Sequence, residues 1–304
     1  MTAAGVTGLS LHPRVRCRPI EPTDLAALTD LLCVAFPDRS RAYWERGLAR
    51  LTARSLPAGV PRFGYVLDHE GELVGVVLTI YSVVSDGTAT HLRCNLSSWY
   101  VAPRFRIFGT VLDGQAMRDK SVTYLNVSPA PGTIAMHVAR GFRRSTAGQM
   151  LVVPALGALR RGVHVRALVP GDDARLPEPL RSLVRDHAAF GCLCLLCDDA
   201  TARHVVILQR LTLKLSRRHT WLPRLPALQM VYGPPADALP RWLGAIGRHL
   251  LLRGERPFLL LDVDERLPGA VGRHLDGWRP RYSRGPHPVP VGDLSYTEIT
   301  VFGP

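Results

Sequence analysis

Lysine is almost missing from this chain of 304 residues: Lys120 and Lys214 stand alone among 38 basic side chains, and the rest are arginine. No run of five or more basic residues occurs, and there is no basic–aromatic platform, aromatics making up only 7% of the chain. The formal net charge of +13 is therefore scattered among Ala, Gly and Pro, and it reads as a composition bias more than as a nucleic-acid footprint. Long apolar runs are lacking too. Segments such as "PFLLLDV" and "HLLLRG" are too short to span a bilayer, and no charged start is followed by an apolar stretch and a small-residue cleavage site. A soluble, cytoplasmic protein is expected, ordered except for its first dozen residues. The six cysteines have no disulfide-framework spacing, which fits a reducing compartment. Three of them cluster in "CLCLLC", but a zinc site needs four ligands and the nearest further candidate is His204. Alternation places Cys192 and Cys194 on one strand face and Cys197 on the other, so buried strand cysteines are expected and no metal.

What is present is ordinary globular material, 46% hydrophobic, with alternating strand and helix signals. "VRCRPI" reads as a strand, and "EPTDLAALTDLLCVAF" as a helix with Leu25, Leu28, Leu31, Leu32 and Phe36 on one face. "RSRAYWERGLARLTAR" is a second helix. "RFGYVLD" and "LVGVVLTIYS" flank an acidic, glycine-bearing turn as a hairpin, and "HLRCNLSSWYV" follows as a strand. Then come a helix in "GTVLDGQAMRDK", a strand in "SVTYLNV", a short helix in "GTIAMHVARGF" stopped by Gly141, and a strand in "GQMLVVPAL". The expected class is a mixed α/β fold, mainly antiparallel, with a βαβ crossover after the central strand. From about residue 165 the order repeats more faintly. "VRALVPGD" is a strand, "PEPLRSLVRDHAAF" a helix, "CLCLLCDDATARHVVILQRLTL" a hairpin and "LPALQMVYGPP" a strand. "ALPRWLGAIGRHLLLRG" is a helix, "PFLLLDV" a strand and "PGAVGRHLDGW" a helix ending at Gly277. "HVARGF" and "HLDGW" fall at corresponding points, and two related domains are expected, 14–158 and 164–304.

The stretch "YVAPRFRIFGTVL" has the composition of an anion cradle. Pro103 stops a strand, Arg104 and Arg106 supply charge-assisted donors, and Gly109 permits close backbone approach where a helix begins. The helix dipole and its unpaired N–H groups favour phosphate at such a point. This spacing resembles the acyl-CoA-binding motif of the GCN5-related N-acetyltransferase (GNAT) superfamily. Val101 matches the strand residue that pairs with the pantetheine arm, Pro103 the proline, Arg106 the basic residue, Gly109 the second glycine and Leu112 the apolar helix residue. Ile107 stands where the first glycine is usual. "TYLNVSPAPGTIAMHVARGF" extends the likeness: Gly141 and Phe142 match the family's helix end, His137 falls at the usual tyrosine near the coenzyme sulfur, and Ala130 at the usual asparagine.

The resemblance implies two GNAT-like domains, each a mixed, mainly antiparallel sheet flanked by helices, with acetyl-CoA or another acyl-CoA as co-substrate and no metal. It implies acyl transfer to an amine or hydroxyl acceptor held near the domain interface. Tyr100, Val101, Arg104, Arg106, Ile107, Phe108, Gly109 and Thr110 would bind the coenzyme. His137 would be the acid that protonates the leaving thiolate, or else a helix-face histidine without chemistry. The family's strand glutamate has no match, since "CNLSSWY" offers only Asn95, Ser97 and Ser98. The base is therefore a water relay, Asp86, His91 or a residue of the second domain. "VYGPPADALPRWLGAIG" keeps Gly233 and a helix but has no arginine before it, so the second domain reads as one that has lost coenzyme binding. Asp262 and Asp264 fall on one face at a strand end, either solvated or available to an amine. The other reading of the chain is a catalytically inactive ligand sensor or assembly module.

Overall fold

The computed structural model describes residues 15–85, 89–169, 171–214 and 224–303. The first dozen residues and Asp86, named above, lie outside them. The first half of the chain supplies β1 (Val15–Pro19), α1 (Leu25–Ala35), α2 (Arg41–Ala53), β2 (Gly64–His69), β3 (Glu72–Ser85), β4 (Thr90–Val101), α3 (Gly109–Ala116), β5 (Thr123–Asn126), α4 (Ile134–Ala139) and β6 (Arg143–Val152). The second half supplies β7 (His164–Ala167), α5 (Leu180–Ala189), β8 (Leu193–Asp198), β9 (Arg203–Lys214), β10 (Arg224–Tyr232), α6 (Pro240–Leu252), β11 (Phe258–Asp262), β12 (Gly272–Arg284) and α7 (Glu298–Val301).

Among the described residues twelve strands form one sheet in the order β1-β2-β3-β4-β5-β12-β6-β11-β10-β9-β8-β7. The order is a palindrome of the two halves in which each half's last strand has crossed over. β12 pairs with β5 of the first half, β6 pairs with β11 of the second, and β6 and β12 pair with each other. The two parallel pairings, β4 with β5 and β10 with β11, bracket the crossovers through α3 and α6, as the βαβ reading expects.

β12 corrects the sequence reading. "GRHLDGW" was expected to be helical, yet Gly272–Arg284 is a strand at the middle of the sheet. Gly277, with φ +67°, and Arg279, with φ +49°, lie in an irregularity between Asp276 and Arg281, so the glycine serves a bulge and not a helix end. The correspondence drawn between "HVARGF" and "HLDGW" falls with it. Gly141 does end α4, at φ +83°.

Helices cover both faces. α2 is entered through Ser40, whose hydroxyl accepts from the Tyr43 N–H at 3.2 Å, and it buries Tyr43, Trp44, Gly47, Leu48 and Leu51 along one stripe. Each buried leucine contributes about 1.5–3 kcal/mol of transfer free energy. α1, α2 and α5 share one apolar cluster with Leu78, Ile80, Leu125 and Phe302. α3 packs on the opposite face, with Leu67, Cys94, Leu96 and Tyr124. α6 packs with Met150, Leu228 and Leu259. Cys192 and Cys194 lie in the first of these clusters and Cys197 in the last, and all three are buried, as alternation predicts.

Candidate active site

β4 and β5 pair only from Arg93/Thr123 to Asn95/Leu125 and then part. From Leu96 onward the β5-facing edge of β4 has no strand partner among the described residues. The parting coincides with an irregularity in the β3–β4 register, where Val76 faces Tyr100 and Leu78 faces Ser97. Ser98 sits in it at φ +53°, a left-handed conformation that a serine adopts only under local constraint. The bulge and the parting open a wedge in the sheet, bounded by α3 and α4 on one face.

At the mouth of the wedge, Pro103–Phe108 form a 3-10 helix that runs directly into α3. Phe105 N–H donates to Ala102 O at 2.8 Å, and Gly109 N–H to Arg106 O. The backbone donors of Phe105 and Gly109 are turned into the helix, which leaves side chains as the free donors of this turn. Arg104 and Arg106 are exposed, and neither has an ion-pair partner among the described residues. Ile107 is exposed, while Phe108 is half-buried and Thr110 exposed. A Cβ at Gly109 would stand 3.0 Å from the Trp99 indole, so α3 packs closely on β4 here and a larger residue would need the indole to give way. Val101 is buried and Tyr100 half-buried.

His137, near the end of α4, is half-buried. Its Nε2 accepts from Asn126 Nδ2 at 2.9 Å, and Asn126 is the last residue of β5. That bond puts the ring proton on Nδ1, which is buried and has no partner among the described residues. Burial pushes the imidazole pKa down, so the ring is neutral near pH 7. An ion pair between Asp113 of α3 and Arg140 ties the two helices together. His91, one of the candidate bases, lies near the start of β4 and stacks on His287 at 4.1 Å, away from the wedge.

The wedge holds a carboxylate that sequence reasoning missed. Glu298, the first residue of α7, accepts from Asn95 Nδ2 with one oxygen and from Ser128 Oγ with the other, linking β4 to the loop that follows β5 where the two strands part. Burial raises its pKa, opposed by these hydrogen bonds. Its segment is fastened across both halves. Arg93 of β4 donates to Asp293 at 2.6 Å and to Ser295 O at 2.9 Å and Oγ at 2.7 Å. His187 of α5, fully buried, accepts from Tyr296 N–H at 3.3 Å. Arg50 donates to Val301 O at 2.9 Å. Phe302 fills the space over Gly47, where a Cβ would stand 1.9 Å from its ring. Nothing local in "SYTEITVFGP" signals this role, since Glu298 and Asn95 are joined only by the fold.

At the equivalent place in the second half, Asp262 is buried at 4% exposure, which corrects the expectation of a solvated strand end. Arg281 donates to it at 2.8 Å, and Gln149 and Gln229 also donate to it. Asp264 is exposed and accepts from Ala147 N–H at 2.6 Å. Among the described residues no helix is long and apolar enough to cross a membrane.

No family model and no curated protein matches the sequence. Solved structures do match the fold. A GCN5-related N-acetyltransferase from Anabaena variabilis superposes with a TM-score of 0.58 at 12% identity, over 89% of this chain and 72% of that one. A probable N-acyltransferase from Enterococcus faecalis gives 0.54 at 12% identity, over 92% and 73%. A putative acetyltransferase from Pyrococcus horikoshii gives 0.52 at 12% identity, over 97% of both chains. The chain has a GNAT-type fold.

Proposed function

We propose that this chain is an acyl-CoA-dependent acyltransferase acting on an amine, with two related halves, 14–158 and 164–304, each completed by the other's last strand. The observation that carries the reading is the convergence of a carboxylate and a neutral histidine on the point where β4 and β5 part. The coenzyme pyrophosphate lies against Arg104 and Arg106, and the pantetheine arm runs along the free edge of β4 past Val101 and Tyr100, on the side of α3 and α4. Acetyl-CoA or a longer acyl-CoA supplies the thioester, and no metal takes part. The surroundings expected of such an enzyme are cytoplasmic.

The amine nitrogen attacks the thioester carbonyl carbon, and its proton passes to Glu298. The tetrahedral intermediate expels the coenzyme thiolate, which the Nδ1–H of the neutral His137 ring stabilises by donating a hydrogen bond, and the thiolate takes its proton from solvent. Glu298 suits the base's part because its raised pKa brings it closer to that of the group it must deprotonate, while Asn95 and Ser128 hold both oxygens in place. Positioning of the two reactants between the halves supplies the remainder.

The test is calorimetric titration with acetyl-CoA and octanoyl-CoA, on the wild type and on Arg106→Glu, followed by release of free thiol in the presence of a panel of amines. Binding weakened at least tenfold in the variant, with amine-dependent thiol release by the wild type, is expected. Undiminished affinity in the variant would put the coenzyme elsewhere. Binding without turnover by any amine would favour the sensor reading.

A further inference from the structure

The second half repeats the wedge. β10 and β11 pair only as far as Gln229/Leu260, and the β9–β10 register is irregular between Met230 and Tyr232. Beside this parting lies a cavity of about 810 Å³, within the range of small-molecule sites. It is set apart from the first wedge: Val83 of β3 lines it, whereas Val76 of the same strand faces Tyr100. At roughly 3.3 Å per residue the two levels are about 23 Å apart. The walls are mainly apolar, with Leu183, Met230 and Leu239 among them, so the few polar groups that reach the cavity decide what it can hold.

The cations of this wall are sealed or turned away. Arg54 donates through Nη2 to Tyr81 O at 2.7 Å and lies 4.4 Å from the centre of the Tyr296 ring, with Nε and Nη1 buried. Arg185, largely exposed, faces Asp173 outside the wall. Two of the carboxylates are neutralised, Asp262 by Arg281 and Asp293 by Arg93. Two others are not. Asp186 is half-buried; its Oδ2 accepts from the Tyr296 hydroxyl at 2.9 Å, and no described residue donates to its Oδ1. Glu178 is exposed at the rim, where one oxygen accepts from the Ser182 hydroxyl at 2.9 Å. Burial raises the Asp186 pKa against the pull of Tyr296 and Arg54, the mark of a carboxylate short of a cation. Ser82 of β3, only 3% exposed, also lines the cavity, and its hydroxyl has no partner among the described residues. A polar group so deeply placed calls for a partner. With the neutralised pairs set aside, Asp186 and Glu178 outweigh the sealed Arg54 by a single negative charge.

We propose that this cavity is a second ligand site, for a small organic cation with one ammonium and an apolar body. The ammonium donates to Oδ1 of Asp186 and to Oγ of Ser82, Glu178 draws it in from the rim, and the body lies against Leu183, Met230 and Leu239. Three donors on a compact head suit two separate oxygen acceptors. A carboxylate or phosphate would meet two like charges and no accessible cationic donor. This site is independent of acyl transfer and is read without any coenzyme.

The experiment titrates the full chain, without coenzyme, with octylamine and with octanoate, following heat of binding and thermal stability. Octylamine is expected to bind saturably and raise Tm, and octanoate is not. Asp186→Asn removes the charge but keeps an acceptor for the Tyr296 hydroxyl, and it should weaken octylamine at least tenfold while the fold is retained. Ala236→Trp, a substitution in the turn lining the cavity, should also block octylamine, and it tests the site if Asp186→Asn fails to fold. Octylamine held at the first wedge, beside Glu298, would survive both substitutions. Such undiminished affinity in either folded variant, octanoate binding as tightly as octylamine, or no saturable octylamine binding would overturn the proposal.

Discussion

Lowering the pH from 7 to 4 should loosen the C-terminal segment through one side chain. His187 is fully buried; its Nδ1 donates to Leu183 O at 2.8 Å, and its Nε2 accepts from Tyr296 N–H. Only the neutral ring can do both. Burial, chiefly, pulls its pKa from the ordinary 6.5 down to about 4, with Arg54 and Arg93 adding to the drop and Asp293 opposing it. A depressed histidine is bound by fewer protons folded than unfolded, so its contribution is intact above pH 6.5 and is lost as the pH falls toward 4. A fall from 6.5 to about 4 corresponds to about 3 kcal/mol. Other groups titrate in the same window, so the quantity to measure is a difference. Urea unfolding of the wild type and of His187→Gln at pH 7 and pH 4 should show the variant less stable at pH 7 by a gap that narrows by about 3 kcal/mol at pH 4. A gap independent of pH would mean that His187 accepts its proton without penalty, and the account of how the segment is fastened would fail.

Two further outcomes follow from the same contacts. Glu298→Gln should keep acyl-CoA affinity and lower kcat by roughly 10²–10⁴-fold, the usual contribution of a positioned base; because the carboxylate pKa is raised, wild-type stability should also fall as pH rises through that pKa, a dependence the variant lacks. A variant with wild-type kcat would exclude Glu298 as the base. Arg281→Met leaves Asp262 buried without its cation and should cost about 3–5 kcal/mol in urea unfolding, whereas Arg281→Met combined with Asp262→Leu should recover much of that loss.

Local signals carried most of the fold. The valine-rich hairpin of β2 and β3, the leucine stripe of α1 and the α3 crossover were all legible because their periodicity is set within each segment. β12 was not, because Gly277 after "HLD" imitates a helix stop, and only pairing with β5 and β6 makes the segment a strand. The same limit applies to the site. Of the proposed site, Arg104, Arg106, Gly109 and His137 lie in contiguous motifs that can be read from the sequence. Glu298 meets Asn95 and Ser128 only after the chain has crossed the whole sheet, and no pattern near residue 298 records that meeting. The helical course of Pro103–Phe108 was hidden as well: proline at a first helical position and at a strand end look alike in sequence.

The exchange of final strands bears on synthesis. Asn126 on β5 has Tyr282 of β12 as its neighbour, so the emerging first half presents an unpaired sheet edge until the chain has been made as far as β12. At roughly 5–20 residues per second that edge waits roughly eight to thirty seconds on the ribosome. Neither half has its complete set of neighbours without the other, so shearing the chain between them would yield two fragments with bare edges instead of two small proteins. Expression of the intact gene at slow elongation, with chaperones present during that interval, is the condition that the topology favours.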